Sequence, residues 1–120
     1  MGGWYNPRGL YVKDELHGLP CHRFCEALIE EGVPSGAGAN APLHVHPMFH
    51  ESDVFNIGRP TMTAFAQRDV RQGKGSLPVS ESINEIAFGI PWFKHCDEKI
   101  IGQYASAFRK VVENHMELLK

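Results

Sequence analysis

Cysteine is scarce in this sequence. Three among 120 residues, Cys21, Cys25 and Cys96, are an odd number and too few for a disulfide framework, which points to a reducing compartment. Runs of like charge are also missing. The formal net charge is -2 and the lysines and arginines are scattered, so the electrostatic footprint of a nucleic-acid binder is absent. No apolar run approaches the roughly 20 residues of a membrane span, and MGGWYNPRG lacks the charged-then-apolar layout of a secretory leader. Neither nucleic acid nor membrane is expected as a partner, and the expected location is cytoplasmic.

What is present describes a globular chain. Hydrophobic residues make up 42% and charged residues 22%, well away from the composition of disordered segments. No composition break separates two cores, so one domain over 1–120 is expected. Cys21 and Cys25 lie four apart on a helical pattern. They lack the CxxC knuckle of structural zinc sites and read as small buried hydrophobes, despite His22 beside them.

Along the chain, Trp4 to Lys13 is rich in aromatic and β-branched residues but broken by Asn6, Pro7 and Gly9, which predicts an extended segment with a turn or bulge. DELHG reads as loop. From Pro20, apolar residues recur at Cys21, Phe24, Cys25, Leu28 and Ile29, one face of a helix that Pro20 opens and Gly32 closes. Residues 33–38 could form a short strand. Residues 39–76 then lose any sustained period, and a structureless stretch that long points to function or to a missing packing partner.

LPVSESINEI, residues 77–86, predicts a short helix with Val79, Ile83 and Ile86 on one side. AFGIPWF predicts an apolar strand ended by Pro91. Asp97 can cap a helix running to the C-terminus, with Ile100, Ile101, Tyr104, Ala105, Phe108, Val111, Val112, His115 and Leu119 as its apolar stripe. The order strand, helix, strand, long loop, helix, strand, helix indicates an α+β fold, a small antiparallel sheet flanked by helices.

The long loop contains GANAPLHVHPMFHESDVFNIG. Its Gly38, His44, His46, Glu51 and Gly58 agree in spacing with the first metal motif of the cupins, where alternate strand residues grip one ion from the same side. A cupin needs many short strands and a later motif with another histidine. The histidines after Gly58, His95 and His115, have no such setting, and Pro47 interrupts the would-be strand. A cupin-like metal protein using His44, His46 and Glu51 stays open as an alternative. The other reading is a loop whose histidines meet a polar ligand or a neighbouring chain.

Four blocks taken in order, FCEALIEEGVPSG, PLHVHPMF, LPVSESINEIAFGIPWF and IIGQYASAFRKVVENHMELL, resemble the C-terminal portion of the DegT/DnrJ/EryC1/StrS aminotransferases. These are pyridoxal-phosphate enzymes that aminate nucleotide-linked sugars and cyclitols. The resemblance covers nearly everything from Trp4 to Lys120. It implies the small domain of a fold type I enzyme, packed on a large cofactor-binding domain in what is expected to be a homodimer, with the PLHVHPMF segment toward the substrate cleft. His44, after Pro42 and Leu43, is the residue it implies as a substrate contact. His46, Arg59 and Arg68 are added because imidazole and guanidinium suit phosphates and polyhydroxylated substrates.

Transamination needs a Schiff-base lysine, an acidic partner for the pyridine nitrogen and a phosphate pocket. The family keeps these in its large domain, and none of Lys13, Lys74, Lys94, Lys99, Lys110 and Lys120 lies in anything like that lysine motif. No catalytic residue and no cofactor are therefore expected within this chain. GKGS, residues 73–76, lacks the glycine spacing of a P-loop and reads as a turn. If the chain docks on a larger body, Trp4, Met48, Phe49, Trp92 and Phe93 are candidate interface residues. A stand-alone module that binds a sugar nucleotide or a protein is the further alternative.

Overall fold

Apolar residues at helical spacing wind the chain into α1, Cys21–Glu30, whose Cys21, Phe24, Cys25 and Leu28 are buried. Pro20 stands at its N-cap, and Gly32 follows its end with φ +83, the left-handed conformation that glycine adopts without Cβ strain. These features belong to a computed structural model that describes residues 6–120. Trp4, the expected interface residue and start of the expected extended segment, lies outside the described residues. The fold is α+β, a two-stranded antiparallel sheet with several helices.

The described chain divides into two compact units, one made of Met1–Ala39 with Ile83–Lys120, the other of Asn40–Ser82. In the first unit β1, Arg8–Leu10, pairs with β2, Ala87–Gly89, with Gly9 opposite Phe88. The strand expected over 33–38 is reduced to a bridge from Ala37 to Phe88, flanked by bonds from the Gly89 N–H to Gly36 O (2.8 Å) and from the Gly38 N–H to Ala87 O (2.6 Å). Pro34 lacks a donor and Gly36 and Gly38 weaken extended structure, so the ladder does not lengthen. Lys13, expected to end the extended segment, and Asp14, Glu15 and Leu16, expected as loop, together form a 3-10 turn closed by His17 in the left-handed region.

The core of this unit joins Tyr11, Leu19, Phe24, Leu28, Val33, Ala107 and Val111. Leu19, Leu28 and Val33 have 0% exposure. The rings of Phe24 and Phe88 meet edge-on with centroids 5.5 Å apart, Tyr11 stands 5.2 Å from Phe24, and Phe88 also lies 6.1 Å from Phe108. The Tyr11 hydroxyl donates to Leu19 O at 2.7 Å, and burial pushes its pKa up to about 12. The free thiols of Cys21 and Cys25 are buried and Cys96 is exposed.

The C-terminal helix α5, Glu98–Glu113, begins where the Asp97 carboxylate accepts the N–H groups of Lys99 and Ile100, both at 3.1 Å. It stops sooner than expected. Asn114 Nδ2 donates to Lys110 O at 2.7 Å, the His115 ring bonds Val112 O, and residues His115–Leu119 tighten into a 3-10 turn. Across α5 and this turn the inward residues are Tyr104, Ala107, Phe108, Val111 and Leu118, whereas Ile100, Ile101, Ala105, Val112 and Leu119 face out. The expected stripe merged these two apolar faces. Likewise the single helix expected over 77–86 is two, α3 (Pro78–Glu81) and α4 (Ile83–Ile86), interrupted at Ser82.

Candidate functional site

The unit Asn40–Ser82 carries the residues singled out for chemistry. Its buried hydrophobic residue is Ala64, while Phe65 and Val79 are each 80% exposed. A unit of about forty residues cannot build a sufficient core of its own, so its shape rests on polar ties. Those ties begin with proline-set turns. Pro42 precedes a 3-10 turn, Leu43–Val45, and Pro47 opens the single-turn helix α2, Pro47–His50. The other regular pieces of the unit are a 3-10 turn at Thr61–Thr63 and α3, which carries Glu81.

His44 is held inside this unit. Its side chain is 8% exposed, and its Nε2 donates to Glu81 Oε1 at 2.8 Å, with the Glu81 side chain 18% exposed. The same carboxylate accepts the Gly75 N–H at 2.7 and 2.8 Å and the Leu77 N–H at 3.2 Å. Glu81 is accordingly held below the usual glutamate range, first by the hydrogen bond from His44 and then by the Gly75 N–H. The GKGS segment is thus a turn, with Gly75 at φ +92, whose amide already faces an acid within the chain. A side-chain carboxylate stands where a phosphate loop would place its ligand.

His46 has a different task. Its Nδ1 accepts the Met48 N–H at 3.2 Å as the N-cap of α2. His44 sits in a 3-10 turn and His46 at a helix cap, so the strand geometry that would aim both imidazoles at one ion is not met. His44 also spends its Nε2 on Glu81. Among the described residues no three His, Cys, Asp or Glu side chains gather at metal-holding distance.

The four expected ligand residues do not share one recess. His44 lines a small apolar opening of about 160 Å³ with Leu43, Phe49 and Met62. Arg59 and Arg68 come together in a second recess of about 270 Å³, with Thr63, Ala66, Gln67, Asp69 and Arg71. Arg71 was missed by the sequence reading. It grips Asp69 through Nη2 (2.6 Å) and Nε (3.0 Å) and donates from Nη1 to His50 O at 3.1 Å, which holds the Asp69 carboxyl down at about 2. The spacing Arg68, Asp69, Arg71 was the available signal. Asp53 was also missed. Its carboxylate accepts the N–H groups of Ile57 (3.1 Å) and Gly58 (2.6 Å), which shapes the turn leading to Arg59 and depresses its own pKa, mainly through the Ile57 bond.

No protein-family model matches this chain, and no curated protein or solved structure matches it significantly. Among the described residues no helix is long and apolar enough to cross a membrane.

Proposed function

We propose that this chain is the small-domain part of a pyridoxal-phosphate-dependent aminotransferase resembling the DegT/DnrJ/EryC1/StrS enzymes. It would contribute substrate contacts and no catalytic group, acting on nucleotide-linked sugars or cyclitols. The observation that carries the reading is the His44–Glu81 bond. It joins two of the blocks on which the resemblance rests, PLHVHPMF and LPVSES, although they stand 37 residues apart. Support also comes from the exposed apolar residues Leu43, Met48, Val54, Phe65 and Val79 in a unit that buries so little. Such a surface suits packing against a larger body.

The cofactor itself does not fit these residues. A Schiff-base lysine needs a desolvated pocket or a neighbouring cation to free its amine, yet Lys13, Lys74, Lys94, Lys99, Lys110 and Lys120 are all exposed. Lys110 is paired with Glu31 at 2.6 Å. The electron-sink chemistry is therefore assigned to a cofactor domain outside these residues, with His44 as the leading substrate contact and His46, Arg59 and Arg68 as further ones.

Two measurements test the proposal. Incubation with pyridoxal phosphate and borohydride should leave every lysine of the chain unmodified by mass spectrometry; stoichiometric attachment at one of them overturns the non-catalytic assignment. Sequencing the transcript around these codons should find an adjoining cofactor domain with a Schiff-base lysine. A transcript that encodes no such domain, in a genome without a separate gene for one, overturns the aminotransferase reading.

A further inference from the structure

Charge in the unit Asn40–Ser82 is balanced overall but unevenly placed. Arg59, Arg68, Arg71 and Lys74 face Glu51, Asp53, Asp69 and Glu81 in number. Three of those four cations line one recess together with a single carboxylate, Asp69, which leaves an excess of two positive charges there. Asp69 is committed to Arg71. Among the described residues the other ion pairs are His44–Glu81 and Glu31–Lys110, so neither Arg59 nor Arg68 has a carboxylate partner. Gathering guanidinium groups without matching acids costs repulsion, and an oxyanion between them relieves it.

We propose that the recess formed by Arg59, Arg68 and Arg71 binds the phosphoryl group of the substrate. This rests on the aminotransferase reading only for the statement that the ligand is a sugar or cyclitol derivative. A phosphate ester carries about -1.5 to -2 charge at neutral pH, which matches the local excess. Arginine forks suit its oxygens in paired hydrogen bonds. The recess of about 270 Å³ lies below the roughly 300–1,000 Å³ of sites that enclose a whole ligand, so it takes one end of the molecule. The wall is pre-shaped: Asp53 fixes the turn ahead of Arg59, Thr61 Oγ1 bonds Ser52 O at 2.7 Å, and Asp69 with His50 O holds Arg71. The phosphoryl group could belong to a sugar monophosphate or to a nucleoside diphosphate sugar, and these share the chemistry argued here.

The test is calorimetry on the 120-residue chain with inorganic phosphate, a hexose 6-phosphate and a uridine-diphosphate hexose. Saturable binding of at least one organic phosphate, tighter than inorganic phosphate, is expected. Whichever of the two binds more tightly names the source. Arg59→Ala and Arg68→Ala should each weaken binding roughly tenfold, the worth of one charged hydrogen bond. Lys74→Ala and Arg109→Ala, changes outside the recess, should leave it within twofold. Amide spectra that overlay the parent away from the substitution show that each variant is folded. No saturable binding, or equal losses from all four variants, overturns the phosphoryl site. Either failure leaves the aminotransferase reading to be decided by the borohydride and transcript measurements.

Discussion

Glu81 is the clasp of the long loop: one carboxylate takes the His44 imidazole at 2.8 Å and the amides of Gly75 and Leu77. Glu81→Gln removes the charge from every one of these bonds while keeping the side chain's size. Amide exchange at Gly75 and Leu77 should accelerate, with the protection of α1 and α5 unchanged. Unaltered exchange at both glycine and leucine would show that the loop is held by other means.

The same clasp predicts a dependence on acid. The folded carboxyl sits below its ordinary value of 4.5, so the folded loop binds the Glu81 proton more weakly than the unfolded one does. Its stabilisation is therefore complete above pH 4.5 and is lost as pH falls through the lower folded value. Following the Gly75 amide signal down the pH scale should show a transition below pH 4.5 that Glu81→Gln abolishes. A transition that persists in the variant assigns it to another group.

Thiol labelling separates the cysteines by place. Burial, then the neighbouring Cys25, pushes the Cys21 thiol up to about 12, and both residues are enclosed, whereas Cys96 is exposed. A maleimide reagent should modify Cys96 alone in the folded protein and all three cysteines after denaturation. Rapid native labelling of Cys21 or Cys25 would contradict the packing of α1.

Leu28→Ala should cost about 2–5 kcal/mol in denaturant unfolding, because Leu28 is fully buried at the centre of the first unit. Ile29→Ala, on the exposed side of the same helix, should cost within about 1 kcal/mol. Equal losses would mean that the buried face of α1 is wrongly placed.

Gly9→Ala tests how closely β1 and β2 approach. A methyl group at Gly9 would run into the ring of Phe88, which Phe24 and Phe108 flank. Overpacking of this kind costs about 1–3 kcal/mol. Gly36→Ala meets no atom within 4 Å at its new methyl and serves as the comparison, read by thermal melting. A Gly9 variant as stable as the Gly36 variant would show that the ring yields freely.

Periodicity made α1 and the Asp97 cap of α5 readable from sequence, since both are local signals. The inward face of α5 was less readable. Apolar residues cover two sides of that helix, and only tertiary packing selects Ala107 and Val111 over Ile101 and Val112. The geometry of residues 40–82 was hidden for another reason. It depends on carboxylates reaching backbone amides, as Asp53 does at Ile57 and Glu81 at Gly75, and such ties leave no repeating pattern. Arg59 and Arg68 were named for their chemistry, but their shared recess and the part of Arg71 in it became visible only with the turns in place.

The two points where residues 40–82 leave and rejoin the first unit nearly touch: the position a Cβ would take on Gly38 lies 3.2 Å from the Asn84 backbone. A chain excursion that starts and finishes at one spot adds little closure entropy as it grows. The frame built on α1, β2 and α5 can therefore accept insertions or deletions between these points at small cost.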